Sequence, residues 1–277
     1  MRTGRWRLIG AVPAVVIVGG LALASLTGVV FRSLRPGTLL GGDLGLAAWK
    51  NVLADGGFWK ALLFTLQTTA MATILALVIA VPLGIALRHS GRVARALMII
   101  LLPVPHLVVA SATVSWLGPG QLLDRLLIDL PVVGNRFGLG VVLVYLVKEV
   151  PFLVVLVAAA LDDATLEREQ AAASLGASLW QRWRFVVLPR LAAPLSLGAL
   201  VVAAFVIGST EVALVVGPLR PETLSTHALA LTRIRGPVAR ADAAVVLVVA
   251  SVLVLSLGGI GVWLAERRGR RLAPGRS

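Results

Sequence analysis

Six long apolar runs, separated by short polar segments, constrain the fold of this chain more than any other feature of its sequence. A bilayer core about 30 Å thick is crossed by a helix of about 20 apolar residues, and each run reaches this length. The runs are Leu8–Val30, Ala61–Leu87, Ala96–Leu117, Leu139–Leu161, Leu195–Val216 and Ala243–Leu264. Because only 14% of the residues are charged, a water-soluble fold is excluded. The sequence predicts an all-α membrane protein with six transmembrane helices.

The basic residues follow the pattern of a membrane protein and not that of a nucleic-acid-binding domain. The net charge is +13, but Lys and Arg lie in short segments between the apolar runs. With Met1 in the cytoplasm, 15 of the 26 Lys and Arg residues fall in cytoplasmic segments and ten in external ones. The positive-inside rule then places both termini in the cytoplasm and predicts no nucleic-acid partner.

The predicted spans divide the chain into four parts. Residues 1–30 form an N-terminal tip and the first span, 31–60 an external loop, 61–264 a core of five spans, and 265–277 a basic cytoplasmic tail. A cleaved signal peptide is the alternative for the first span, since three Arg residues precede it and Ala22-Leu23-Ala24 resembles a cleavage site. The run continues to Phe31, which favours a retained span.

Two further patterns concern packing within the spans. Small residues at steps of four in the second span, namely Ala72, Ala76, Ala80 and Gly84, predict a face on which another helix can lie close. Prolines within spans predict kinks, because each removes a backbone donor. These prolines are Pro82, Pro103, Pro105 and Pro151.

The chain lacks the common motifs of enzymes. Its three lysines, Lys50, Lys60 and Lys148, do not follow glycine, so there is no P-loop for ATP. There is no cysteine, and three histidines far apart in sequence offer no metal-ligand cluster. We therefore predict no catalytic residues, no bound metal and no cofactor on this chain.

The cytoplasmic loop between spans four and five, residues 162–194, is long for a connection within a helical bundle. Helix-forming residues run from Leu166 to Leu175, and Gly176 can take the left-handed conformation that ends a helix. Ser178 and Gln181 have the spacing of a capping box, which predicts a second helix from Leu179 that stops near Pro189. The loop is thus predicted to be helix, glycine turn, helix.

This loop resembles the signature of permease subunits of prokaryotic binding-protein-dependent ABC importers, E-A-A-x3-G-x9-I-x-L-P. The matching residues are Gln170-Ala171-Ala172, then Gly176, then Val186-Val187-Leu188-Pro189. Gln170 stands where the family has Glu, and Glu169 beside it offers a partial replacement. The resemblance implies that this segment is the ATPase-coupling loop. Its candidate residues are Glu169, Gln170, Ala171, Ala172, Ala173, Ser174, Leu175, Gly176, Leu188 and Pro189.

The resemblance also implies partners and a location. In that family the loop docks on an ABC ATPase subunit, which binds the ATP and Mg²⁺. A second permease, in preference to a homodimer, and an external solute-binding protein complete the assembly in the prokaryotic inner membrane. The stretch Gly208–Val212 is similar to the branch that imports polyamines, iron and thiamine.

Ionisable residues within spans are candidates for the solute pathway or its gate, because burying them in a membrane is costly. Lys148, Glu149 and Glu211 meet this condition, and similar depths predict that Lys148 pairs with Glu211, for structure or for gating. His106 is either a helix-packing residue or a pathway ligand. The alternative function is a secondary transporter that uses Lys148, Glu149 and Glu211 as an ion relay.

Overall fold

A computed structural model describes residues 3–35, 44–88, 90, 92–121, 123, 125, 131–234 and 236–272. In this part of the chain the regular structure is helical and contains no β-strand. The helices are α1 (Thr3–Leu34), α2 (Ala47–Ala54), α3 (Gly56–Arg88), α4 (Arg92–Ile100), α5 (His106–Leu117), α6 (Leu139–Ala160), α7 (Asp163–Ser174), α8 (Leu179–Arg182), α9 (Leu188–Gly208), α10 (Glu211–Val216), α11 (Leu224–Arg233) and α12 (Pro237–Leu272). A π-helical segment, Trp183–Val187, joins α8 to α9.

Five helical stretches among the described residues are long and apolar enough to cross a membrane. They correspond to five of the six predicted runs. The stretches are Val16–Leu34, Gly56–Arg88, Leu139–Ala160, Leu179–Gly208 and Pro237–Gly261. The chain is therefore a multi-pass membrane protein.

The third predicted run, Ala96–Leu117, is not one continuous helix, so the structure does not confirm a sixth membrane-length helix. A turn separates α4 from α5, and the 12 residues of α5 rise only about 18 Å. Proline explains the break, because Pro103 and Pro105 lack the N–H that helical hydrogen bonds require. Pro105 itself has extended backbone angles and immediately precedes α5.

The fifth predicted run, Leu195–Val216, is displaced along the chain. Its helix starts far earlier and ends at Gly208, and Ser209 is extended. The predicted helix end at Pro189 is wrong, because the helix continues through this residue. A wider π-helical turn precedes Pro189, in which the Leu188 N–H bonds the Trp183 carbonyl. Pro189 then lies in the first turn of α9, where proline is tolerated. The second half of the 162–194 loop is thus part of a membrane-length helix.

The small-residue face of α3 packs against α6, as predicted. Ala72, Ala76 and Ala80 are at most 1% exposed. A Cβ built on Gly84 would lie 2.5 Å from the Cβ of Val157 in α6, so only glycine allows this approach.

The chain divides into two compact units. The first comprises residues 1–59 and 224–251, and in it His227 of α11 lies 3.6 Å from the carboxylate of Asp55. The second comprises residues 60–223 and 252–277, and its core includes the fully buried Val144, Leu153 and Val202. Every candidate site residue predicted above lies in the second unit.

Candidate functional site

The 162–194 loop begins with a well-formed helix N-terminus. Asp162 precedes α7, and its Oδ1 accepts hydrogen bonds from the Thr165 backbone N–H at 2.9 Å and from the Thr165 hydroxyl at 2.6 Å. These bonds hold the pKa of the Asp162 carboxyl below its usual value, since they favour the ionised form. An ionised cap also interacts favourably with the N-terminal end of the helix dipole.

Gly176 ends α7 in the left-handed conformation, with φ of +82°. The Ala177 N–H bonds the Ala172 carbonyl and the Gly176 N–H bonds the Ala173 carbonyl, each at 3.0 Å, which is the Schellman pattern. The predicted capping box follows: Ser178 N–H donates to Gln181 Oε1, and Gln181 N–H donates to Ser178 Oγ. A rigid turn thus joins α7 to α8.

Large apolar side chains are exposed at and beyond this turn. Leu175 is 89% exposed, and Leu179, Trp180 and Phe185 are also largely exposed. Trp180 stacks on Trp183, with ring centroids 5.2 Å apart, while Trp183 packs against the buried cluster that contains Val157 and Leu191. Exposed apolar residues beside a rigid turn are typical of a surface that a partner covers.

An ion pair connects α7 to the end of α3. The Arg88 Nη1 lies 2.9 Å from the Glu169 Oε1, and both side chains are largely buried. Gln170, which stands where the resembled family has Glu, is exposed. The carboxylate that anchors α7 is therefore that of Glu169.

Lys148 donates hydrogen bonds at the break in the third run. Its Nζ donates to the Leu102 carbonyl at 2.8 Å and to the Leu101 carbonyl at 3.3 Å. In a continuous helix the Leu101 carbonyl would accept from residue 105, which is proline and has no N–H. Lys148 therefore replaces a donor that the sequence removes.

Glu149 and His106 form the polar contact between α6 and the start of α5. The His106 Nε2 lies 2.9 Å from the Glu149 Oε1, and the Glu149 side chain is 7% exposed. The imidazole also stacks on Phe205 and approaches Tyr145, with ring centroids 5.9 and 5.7 Å apart. His106 thus joins α5, α6 and α9.

Glu211 is not a partner of Lys148, so the predicted pair is not formed. Glu211 begins α10, is exposed, and accepts a hydrogen bond from the Thr210 N–H at 3.2 Å. An acidic residue is favourable there because of the helix dipole. Gly208, Ser209 and Thr210 are poor helix formers, which explains why α9 ends before Glu211.

The contacts made by Arg88, His106 and Lys148 were not predicted from sequence. Arg88 and Glu169 are 81 residues apart, and no local pattern links them. The partner of Lys148 did have a signal: two prolines in one run leave carbonyls without donors, and a buried lysine can supply them.

The part of the chain that the structure describes has five membrane-length helices and a capped helical hairpin between two of them, as in a multi-pass membrane protein. Comparison of the sequence with known families shows which family it belongs to. The chain belongs to the family of binding-protein-dependent transport system inner membrane components, whose model matches residues 76–272.

Curated relatives support this family. The inner membrane ABC transporter permease protein YnjC of Escherichia coli K12 is 32% identical over 208 residues, which are 73% of this chain and 41% of YnjC. The molybdenum transport system permease protein ModB of Mycobacterium tuberculosis is 31% identical over 73% of this chain and 77% of its own length. The chain spans about half of the trehalose transport system permease protein SugA, at 30% identity.

Solved structures share the fold. The structure of a bacterial alginate ABC transporter in complex with an alginate pentasaccharide-bound periplasmic protein contains a chain that matches 98% of this one and 94% of its own length, with a TM-score of 0.68 and 15% identity. An amino acid ABC transporter crystallised with histidines matches 81% of this chain with a TM-score of 0.55 and 14% identity. At these identities the likeness concerns the fold.

Proposed function

We propose that the chain is the membrane-spanning permease subunit of an importer that takes up a small solute delivered by an external binding protein. A separate ABC ATPase binds ATP and Mg²⁺, and this chain transmits the movement that hydrolysis drives. The observation that carries the proposal is the capped helical hairpin of the 162–194 loop, with Leu175 exposed at its turn, in a member of this permease family.

The 162–194 loop is suited to coupling because it is fastened to two membrane helices. The loop continues without interruption from Leu179 through Leu188 and Pro189 into the helix that ends at Gly208. Glu169 fastens α7 to the end of α3 through Arg88. A displacement of the hairpin by a docked ATPase would therefore move both membrane helices.

The residues from Gln170 to Gly176 form the proposed docking surface. Ala171 and Ala173 are small and exposed, so a partner can approach the α7 backbone closely, and Leu175 can enter an apolar groove. Gln170 is exposed and retains hydrogen-bonding capacity without the charge of Glu. Ala172 and Ser174 complete this turn of the helix.

The solute pathway runs beside the break between α4 and α5. His106, Lys148 and Glu149 lie there, and Glu211 at the start of α10 is a fourth gating candidate. Because Lys148 and Glu149 are engaged by separate partners, a relay from Lys148 to Glu211 has no direct contact in this structure. We therefore favour ATP-driven import over the ion-driven alternative.

We propose a second permease subunit as partner, with both termini of this chain in the cytoplasm. The matched region is 41% of the length of YnjC, so that protein is long enough to contain two such regions. One coupling loop per chain requires two permease units for two ATPase subunits.

Co-purification tests the proposal. The tagged chain is extracted from its native membrane in mild detergent, and the proteins that accompany it are identified by mass spectrometry. We expect a P-loop ATPase and a second permease. An ATPase with two copies of this chain would replace the second permease by a homodimer. A chain that comes alone, while a control transporter keeps its subunits, would contradict the proposal.

A further inference from the structure

The first unit contains a groove between α1 and α12 that the transport proposal does not use. Its volume is about 400 Å³, and apart from two arginines it is lined mostly by small and apolar side chains. The residues that line it are Ala24, Ser25, Gly28, Val29, Arg32, Thr232, Arg240, Ala243, Ala244 and Leu247.

Two arginines, Arg32 of α1 and Arg240 of α12, line this groove. On α1, Ala24, Gly28 and Arg32 follow at steps of four and share one face. On α12, Arg240 and Ala244 share a face in the same way, with the arginine first in the chain. The first and sixth predicted spans run antiparallel, so Arg32 near the end of α1 and Arg240 near the start of α12 are expected at one mouth of the groove, with the small residues extending from it.

Neither guanidinium has an ion pair or hydrogen bond to any residue that the structure describes. The two hydroxyls of the groove are engaged, since Ser25 donates to the Leu21 carbonyl at 2.8 Å and Thr232 to the Leu229 carbonyl at 2.7 Å. Asp242 follows Arg240 by two residues, about 200° around the helix, and so lies on another face. The hydrogen-bond donors that remain available to a ligand at the mouth are therefore the two guanidinium groups, which are cationic.

The mouth lies where the apolar stretches end. Arg32 is in the last turn of the stretch Val16–Leu34, and Arg240 is in the first turn of Pro237–Gly261. Trp49 donates from Nε1 to the hydroxyl of Ser33, beside Arg32, at 3.3 Å, and tryptophan is enriched at membrane interfaces. The groove thus runs from a charged interface into the hydrocarbon region.

We propose that this groove binds one anionic glycerophospholipid. Its phosphate is held by Arg32 and Arg240, and one acyl chain lies over Gly28, Ala244 and Leu247. Guanidinium groups bind phosphate oxygens in a bidentate manner, and basic residues between membrane helices recognise anionic headgroups. An acyl chain fits this wall because a Cβ on Gly28 would meet no atom within 4 Å.

The test uses the complete purified transporter complex, delipidated and titrated with phosphatidylglycerol or phosphatidylcholine, with bound lipid counted by native mass spectrometry. We expect one tightly retained phosphatidylglycerol and no equivalent phosphatidylcholine. The Arg32→Gln and Arg240→Gln changes should each weaken its retention about fivefold, as expected for one basic residue. Gly28→Leu should block the lipid while both charges remain.

Matched variants separate this site from general effects. Gly20→Leu adds the same side chain two turns earlier on α1, at a position that is also open, and Arg233→Gln removes an exposed arginine outside the groove. Both should retain the lipid. Displacement by inorganic phosphate alone would point to an anion site and overturn the lipid proposal.

Equal retention of both lipids, or full retention by the Arg32→Gln/Arg240→Gln double variant, would also overturn the proposal. So would loss of a protein subunit, instead of lipid, from the Gly28→Leu complex, because the groove would then be a subunit interface. The Arg32→Lys/Arg240→Lys double variant keeps both charges and should keep most of the lipid. This variant checks that the two positions tolerate substitution.

Discussion

At the scale of single residues, Lys148 is a buried charged residue that depends on its hydrogen-bond partners. The residue is 7% exposed, and an unpaired ammonium group at such a site in a membrane helix is costly. The carbonyls of Leu101 and Leu102 satisfy it and are satisfied in return. The break in the third run and the buried lysine are therefore one structural feature.

Replacing Lys148 should destabilise the turn between α4 and α5. Lys148→Met keeps the volume of the side chain but leaves the Leu101 and Leu102 carbonyls without this donor, which costs about 1–3 kcal/mol. We expect a lower melting temperature of the purified complex and reduced solute uptake. Lys60→Met is the matched control, since Lys60 is exposed and should tolerate the change. Equal melting temperatures for the two variants would contradict the assigned role of Lys148.

His106 and Glu149 should act as a coupled pair. A hydrogen bond to a charged partner contributes about 1.5–3 kcal/mol, so His106→Gln and Glu149→Gln should be strongly non-additive in a double-mutant cycle on stability. The same cycle between His106 and Glu211 should be additive, because Glu211 bonds its own neighbour Thr210. Additivity in the first cycle would show that the contact between His106 and Glu149 has no energetic weight.

Asp162 gives the start of α7 a defined pH dependence. Its carboxyl has a lowered pKa in the folded chain because Thr165 donates two hydrogen bonds to it. The stabilisation is therefore complete at neutral pH and is lost as the pH falls through this lowered pKa. Hydrogen exchange of the Thr165 amide should accelerate over that acidic range. Asp162→Asn, which retains an acceptor but does not titrate, should exchange at a rate without this acidic transition.

At the scale of elements, the 162–194 loop shows where local signals suffice. Gly176 and the Ser178 capping box could be predicted because each involves residues at most five positions apart. The continuation of the helix through Pro189 could not be predicted, because a proline normally indicates the end of a helix and no local pattern indicates the π-helical turn. The division of the third run was signalled by Pro103 and Pro105, yet apolarity alone favoured a continuous span.

The turn at Gly176 should be decisive for coupling. Any residue with a Cβ is strained at φ of +82°, by about 1–2 kcal/mol, while Asn tolerates this region better. We expect Gly176→Leu to insert normally and to lose ATP hydrolysis stimulated by the loaded binding protein, and Gly176→Asn to retain most of it. The open space around Gly176 means that bulk is not the cause. Normal stimulated turnover in Gly176→Leu would contradict the docking role.

At the scale of the whole molecule, composition and apolar runs predicted the class of fold. The helical architecture of the described residues and the packing face of α3 are confirmed, and five of the predicted runs correspond to helices long and apolar enough to cross a membrane. The tertiary partners of His106 and Glu169 could not be predicted, because each contact joins residues that are distant in sequence, whereas the two prolines of the third run gave a signal for those of Lys148. Membrane topology by charge counting stays a prediction and can be tested together with docking.

The most direct test of the central claim uses the absence of cysteine from the sequence. Leu175→Cys and Leu219→Cys each place one thiol at a highly exposed site, since these leucines are 89% and 95% exposed. Leu175 lies in the proposed ATPase-docking turn, and Leu219 lies in a segment predicted to be external. Neither change alters a buried contact, so the two variants are matched.

Membrane vesicles of both orientations are treated with a membrane-impermeant thiol reagent, with and without the co-purified ATPase. The thiol of Leu175→Cys should react only from the cytoplasmic side and should lose its reactivity when the ATPase is bound. The thiol of Leu219→Cys should react only from the outside, whether or not the ATPase is present. Reaction of Leu175→Cys from the outside, or unchanged reaction beside bound ATPase, would contradict the coupling account.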